Sequence, residues 1–214
     1  MAFPPAMTAA LSGATIRQLG YWRRPGRRGV LLVPEVSVQP LILYSFRDVL
    51  ALRSFVYLRR THSLQAIRTA VSTLRHLGEG EHLSTYRLVS TGDSIVLVQN
   101  DELTDLAGRP GHRVIATLLE IVEPFSARDG VVVPALFRPR TNLEVDPDVR
   151  GGVPVIAGTR VPYDIVAGLV NDGMTPAQIR DLYPSVSDAA ALDAVDFGRY
   201  VDSVTGGRPG SAVA

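Results

Sequence analysis

GGVPVIAGTRVP, residues 151–162, is the stretch on which the fold of this 214-residue chain turns. Gly151 and Gly152 open backbone angles that a Cβ closes. Pro154 and Pro162 fix their own φ and push Val153 and Val161 toward extended backbone. Val155 and Ile156 favour a short strand. Gly158 breaks it, and Thr159 leads into Arg160, a lone cation beside apolar neighbours. A guanidinium in such a turn is expected to find a partner within the fold, Asp164 or a loop carbonyl, because an unpaired buried charge is costly. Pro162 suits the first turn of a helix, where its missing N–H costs nothing.

Downstream the pattern is helical. Ile165, Val166, Leu169 and Val170 share one helix face. Gly173 stands where a left-handed C′ residue belongs. Thr175-Pro176-Ala177-Gln178 supplies an N-cap, an N1 proline and a capping-box glutamine. Ile179 and Leu182 give the second helix its apolar face, and Pro184 ends it. Ser187 caps a third helix carrying Ala191, Leu192, Val195 and Phe197. Two helices joined by a Gly turn, with a third behind, have helix-turn-helix-like spacing.

Residues 142–203 resemble a small bacterial domain of unknown function. The residues that carry the resemblance are Val145-Asp146-Pro147, Gly151 to Pro162, Gly173-Met174-Thr175 and Tyr183-Pro184. Proteins with this pattern are similar to VapB-type antitoxins, encoded beside PIN-domain ribonuclease toxins. The resemblance implies an antitoxin whose Arg residues meet the clustered carboxylates of such a toxin. Arg180 and Arg199, on the last two helices, and Arg208 in the tail are the candidates, with a surface ion pair of Arg180 to Asp181 or Asp188 as the alternative for that residue. Gly151, Gly152, Pro154, Gly158, Thr159, Arg160 and Pro162 form the structural motif.

Charge is uneven along the chain. Residues 1–80 hold 11 Arg and 3 acidic residues, net +8. Residues 81–140 hold 6 Arg and 8 acids, and residues 141–214 hold 5 Arg and 10 acids. The basic first segment favours a polyanionic partner, nucleic acid first. The acidic last segment argues against its own helices gripping DNA. All 22 basic residues are Arg.

Within that basic segment, Gly13 ends a short helix and Thr15 starts another with Ile16, Leu19 and Trp22 inward. Arg17, Gln18 and Tyr21 then lie on other faces. Residues 23–29, RRPGRRG, surround a Pro-Gly turn with four Arg, and β-formers from Leu31 to Leu43 suggest a small wing-like hairpin. Ser45 with Asp48, and then Ser63, cap two further helices, with Val49, Leu52 and Val56 inside the first and Leu64, Ile67, Val71 and Leu74 inside the second. This half is similar to the MerR-type winged helix-turn-helix at Gly13, Leu19, Tyr21-Trp22, Tyr44-Ser45, Asp48-Val49, Ser63-Leu64 and Ile67-Arg68. It departs at Gly20, where that family has Arg, and at Arg23, where it has an acid. The resemblance implies double-stranded operator DNA as a partner. Arg17, Gln18 and Tyr21 are then expected to read bases, and Arg23, Arg24, Arg27 and Arg28 to meet phosphates.

Residues 79–140 are less informative. Tyr86–Val89 and Ile95–Gln99 suggest a hairpin, Asp101–Leu106 a helical turn, Val114–Val122 a strand or a helix, and Val131–Val133 a short strand. The expected fold is mainly α with small β elements (α+β). It comprises a winged helix-turn-helix at 1–80, a β-rich connector at 81–140, a three-helix domain at 141–204 and a flexible tail at 205–214.

No chemistry of an enzyme is visible. The four His lack metal-ligand spacing, there is no Cys, and no P-loop, dinucleotide or nucleophile-elbow motif occurs. Asp146/Asp148 and Asp193/Asp196 are carboxylate pairs that a magnesium nuclease could use, but each lies in a local acidic run that surface charge explains better. No cofactor is expected. No apolar run reaches the ~20 residues of a membrane span, and the first ten residues lack the charge of a secretory leader. A cytoplasmic homodimeric antitoxin is therefore the expectation, with a stand-alone transcription regulator as the alternative and a nuclease as the third.

Overall fold

Pro5 at the first helical position starts α1 (Pro5–Ser12), and Gly13, left-handed at φ +77°, ends it. The Gly13 N–H returns to the Ala9 carbonyl at 2.8 Å. Six of the eight residues of α1 are buried, so this helix is covered on nearly every side. The computed structural model describes residues 2–25, 29–76, 87–91, 94–99, 102–105 and 121–205. Among them are seven α-helices and three small antiparallel sheets, a mainly helical chain with small β elements.

Three residues separate α1 from α2 (Ile16–Trp22). Thr15 and Gln18 close a capping box: the Gln18 N–H donates to Thr15 Oγ1 at 3.1 Å, and the Thr15 N–H to Gln18 Oε1 at 2.8 Å. Leu19 and Trp22 point inward; Tyr21 and Arg17 point out. The Trp22 carbonyl then accepts the N–H groups of Leu31 and Leu32, which closes the loop after α2. The predicted hairpin between Leu31 and Leu43 shrinks to one bridge, Ser37 with Leu43, because Pro34 and Pro40 interrupt any longer ladder.

Ser45 and Asp48 form a second capping box at the start of α3 (Phe46–Leu58). The Asp48 carboxylate is wholly buried and also accepts the Glu35 N–H at 2.9 Å, so one side chain both caps α3 and ties the loop to it. Ser63 caps α4 (Leu64–His76) through the Ala66 N–H. Val49, Leu52, Val56, Ile67 and Val71 are buried as their spacing predicts.

Strands β1 (Arg87–Thr91), β2 (Ser94–Gln99) and β3 (Glu102–Asp105) pair antiparallel in chain order. The register Thr91↔Ser94 makes β1 and β2 the predicted hairpin. Residues 102–105, read from sequence as part of a helical turn, are instead β3. Pairing with β2 outweighs local preference there, as short segments commonly show. Of Val114–Val122, only 121–122 are described, and they are helical. A second hairpin joins β4 (Phe125–Ser126) to β5 (Val132–Val133).

In the last part, β6 (Leu143–Glu144) pairs with β7 (Val155–Ile156), followed by α5 (Tyr163–Asn171), α6 (Pro176–Leu182) and α7 (Asp188–Thr205). Pro162 is the N-cap of α5 rather than its first helical residue. At its other end the Met174 N–H reaches the Leu169 carbonyl and the Gly173 N–H the Val170 carbonyl. With Gly173 at φ +89°, this is a Schellman ending. Thr175 and Gln178 repeat the capping box at α6, and Ser187 Oγ accepts the Ala190 N–H before α7. Ile165, Leu182 and Leu192, expected inside, are exposed at 43%, 58% and 67%. The faces that turn inward instead carry Tyr163, Val166 and Ala167 on α5 and Ala190, Ala191, Ala194, Val195 and Phe197 on α7.

The core does not stop at 80/81 or 140/141. Phe3, Phe46, Phe125, Val133, Leu143 and Phe197 belong to one cluster. Helix α7 packs on α5 and also on α1, and the Tyr200 hydroxyl donates to the Ala10 carbonyl at 3.3 Å. Arg53 sits at the centre, with no exposed surface. Its Nη1 donates to the Leu11 carbonyl at 2.6 Å, its Nη2 to Glu123 and Pro134 at 2.9 and 2.7 Å, and its Nε to Ile121. Its guanidinium lies 5.0 Å from the centre of the Phe125 ring. A cation at the carboxyl end of α1 also complements the dipole of that helix.

Candidate functional site

Two surfaces carry the residues singled out by sequence. The first surrounds α2. Arg17 and Tyr21 project from it, and with Arg59 they line a groove of about 390 Å³. Tyr21 is 56% exposed, and the Arg68 guanidinium from α4 lies 5.1 Å from its ring centre. Arg68 also donates to the Gly29 carbonyl at 3.1 Å, which holds the loop after α2 beside α4. Gln18 faces the same groove, but its Oε1 is engaged by the Thr15 N–H, so only its amide N–H groups remain to donate outward. Arg24 is exposed and Arg23, which caps the end of α2, is partly so. Arg27 and Arg28 lie outside the described residues.

Not every positive charge of the first segment contributes to this surface. Arg53 is in the core, and Arg47 faces Glu35 across 3.6 Å. Arg17, Arg24, Arg59 and Arg60 have no carboxylate partner among the described residues. Sequence alone gives no means of separating these classes, because burial of Arg53 depends on carbonyls more than forty positions away.

The second surface is the tip of the 151–162 motif. Arg150, Gly151 and Gly152 are all left-handed, at φ +50°, +69° and +82°. A Cβ on Gly152 would stand 3.2 Å from Phe3 and 3.3 Å from Phe46, so this glycine serves close approach to the first segment as well as the turn. Pro154 is buried. The Ile156 N–H donates to the Val161 carbonyl, the Tyr163 N–H to Pro154, and the Thr159 N–H to Ile156. Thr159 Oγ1 donates to the Ile156 carbonyl at 2.8 Å and accepts the Val161 N–H at 3.0 Å. Gly158, at φ +73°, donates its N–H to Glu144 Oε1. These bonds fix the turn and leave Arg160 exposed at its tip, with no hydrogen-bond or ionic partner among the described residues. The internal partner expected for Arg160 is therefore absent there: the side chain points to water and has no burial cost to offset.

Arg199 is exposed on α7, whereas Arg180 pairs with Asp188 at 2.8 Å on the surface. Arg208 lies outside the described residues. Three of the four carboxylates of a nuclease reading, those of Asp146, Asp193 and Asp196, are engaged otherwise. Asp193 accepts the backbone and side-chain N–H groups of Asn142 at 2.8 and 2.9 Å. Asp196 pairs with Arg140, whose guanidinium also lies over Phe197 and Tyr200. Asp146 accepts the Asp148 N–H in a local turn. Their role is to fasten residues 139–148 to the last helix and to themselves. No cluster of three metal-ligating side chains occurs among the described residues, and no helix there is long and apolar enough to cross a membrane.

Residues 143–197 match a family model described as a protein of unknown function (DUF433). The match takes in β6, the motif hairpin, α5, α6 and the first part of α7, a minority of the 214 residues. No curated protein and no solved structure matches the chain.

Proposed function

We propose that this protein is an antitoxin that binds its own operator DNA through the surface around α2 and occupies a PIN-domain ribonuclease through its carboxy-terminal part. The observation that carries the DNA half is the arrangement of α1 and α2. A buried helix, a three-residue turn and a second helix presenting Arg17 and Tyr21 suit a winged helix-turn-helix of MerR type, with the 29–44 loop as a minimal wing. Guanidinium groups around that helix that meet no carboxylate among the described residues supply the phosphate contacts.

The toxin half rests on the resemblance of residues 142–203 and on two exposed cations. Arg160 is presented by a rigid turn, and Arg199 by the last helix. Either suits the carboxylate cluster of a metal-dependent ribonuclease better than Arg180, whose charge is already met by Asp188. One observation favours a second reading, a regulator without a toxin: α7 packs on α1, so the last part also buttresses the helix behind α2.

The test is co-expression with the product of the adjacent gene. A complex that co-purifies, and ribonuclease activity that falls on adding the full chain, support the antitoxin. Arg160→Glu and Arg199→Glu should weaken inhibition at least tenfold while leaving DNA binding intact. No complex and no inhibition, with DNA binding retained, would leave the stand-alone regulator.

A further inference from the structure

We infer that Arg59, at the end of α3, and Arg128, on the β4–β5 turn, form a clamp for the DNA phosphate backbone, so that the connector is part of the nucleic-acid surface. The inference rests on the DNA-binding role proposed above and extends it to a segment in which sequence patterning shows no such signal.

A groove of about 310 Å³ runs between the α1–α2 turn, the end of α3 and the β4–β5 turn, and Arg59 and Arg128 both line it. It shares Gln18, Trp22 and Arg59 with the groove that holds Arg17 and Tyr21. Guanidinium groups therefore recur along one continuous track beside α2. Arg59 donates through Nη1 to the His62 carbonyl at 3.2 Å, which steadies the side chain. The turn that bears Arg128 is equally fixed. The Ala127 N–H donates to the Val131 carbonyl at 2.8 Å and the Gly130 N–H to the Ala127 carbonyl at 3.0 Å. Gly130 takes φ +83°, and Ala127 and Val133 anchor the hairpin in the core.

Among the described residues that line this groove the one acid is Asp129, and its Oδ1 accepts the Val131 N–H at 3.3 Å. Burial, and the proximity of Arg128, push the Arg59 pKa below its ordinary value. The fold thus holds two like charges near each other in a partly desolvated groove, an arrangement that a phosphodiester between them relieves. A track of cations, rather than one enclosed pocket, suits a polymer backbone over a small free anion.

The experiment uses the full chain and two duplexes, one from upstream of its own gene and one of arbitrary sequence, titrated by fluorescence anisotropy over a salt series. Arg128→Ala should weaken both duplexes to a similar degree and reduce the slope of log K against log salt by about one unit. Arg128→Glu should weaken them further. Because Arg128 is exposed, the melting temperature should not move. Wild-type binding with an unchanged slope in both variants overturns the clamp alone. Absence of wild-type binding to either duplex overturns the clamp and the DNA-binding role together. Equal competition by inorganic phosphate at matched ionic strength would make the groove a free-anion site and overturn the backbone assignment.

Discussion

Arg53 shows how far a single residue can matter without touching any partner. Five carbonyl groups, those of Leu11, Ile121, Val122, Glu123 and Pro134, converge on its guanidinium. Burial pushes its pKa down to about 10, which leaves it charged at neutral pH. Met in its place would reach only as far as Nε and leave those carbonyls unpaired, at about 1–3 kcal/mol for each that water cannot reach. Arg53→Met should therefore lower the melting temperature sharply or abolish folding. Arg53→Lys should recover only part, because one ammonium with three donors cannot span the set. A melt of Arg53→Met equal to wild type would mean that the guanidinium does not tie these segments together. Two phenols, one buried (Tyr163) and one half-buried (Tyr200), give a second test at this scale. Burial pushes Tyr163 up to about 12, with Asp164 and Asp202 adding to it. Burial also raises Tyr200 to about 12, against the lowering effect of Arg53 and Arg140. A folded-state value above the ordinary 10 means the folded chain holds these protons more tightly than the unfolded chain. Their contribution to stability is complete below pH 10 and is lost as pH rises from 10 to 12. Arg53 titrates over the same range in the opposite sense, so the readout is a difference: chemical denaturation should show the wild type losing stability relative to Tyr200→Phe as pH rises, and a constant difference would place the Tyr200 phenol in water.

The elements separate what local chemistry decides from what tertiary packing decides. Thr15, Ser45 and Thr175 each begin a helix with its partner three residues on, and Gly13 and Gly173 end one. All of these signals act within a few residues, and all are legible in the sequence. What escapes is set by distant partners. Residues 102–105 form a strand because β2 lies beside them. Leu182 and Leu192 face solvent because the inner faces of their helices are filled by other side chains. The structural role of Gly152 depends on Phe3 and Phe46, more than a hundred positions earlier. Of the candidate site, Arg17, Tyr21, the turn that displays Arg160 and the surface pairing of Arg180 with Asp188 are legible, while the groove with Arg128 is not. Glycine substitutions test the distinction. Gly13→Ala would force a Cβ into the left-handed region and within 2.4 Å of Val133. It should cost about 2–4 kcal/mol from backbone strain and overpacking together. Gly20→Ala, inside α2 with no neighbour within 4 Å of the new Cβ, should instead stabilise by about 1 kcal/mol through helix propensity. Thermal melts of the two variants should move in opposite directions; a shared direction would contradict the backbone geometry of one of them.

At the scale of the whole molecule the charge asymmetry suggests two modules with separate partners, while the packing joins them. Leu11 and Ala10, at the end of α1, give their carbonyls to Arg53 and Tyr200, one from α3 and one from α7. The first helix is thus held from both sides, and the Ala10 carbonyl would lose its Tyr200 partner if the last part were removed. The reverse cut is also costly. A fragment of residues 141–205 loses Phe3 and Phe46 from beside Gly152 and α1 from beside α7. At about 60 residues it would have little core left to compensate. The full chain should accordingly unfold in one transition. Trp22, the only tryptophan, is buried against Phe55 in the first part, whereas Tyr163 and Phe197 pack edge to face in the last. Fluorescence of Trp22 and the aromatic proton resonances of Tyr163 therefore report on opposite ends. Their denaturant midpoints should coincide, and the 141–205 fragment should unfold at lower denaturant or bind a hydrophobic dye without it. Saturating duplex DNA provides the complementary measurement. A ligand held at one end of a single cooperative unit raises the stability of all of it by mass action, so both midpoints should rise together. Two separated transitions, with only the Trp22 signal shifted by DNA, would mean that the two parts fold and bind independently, and that the contact of α7 with α1 contributes little.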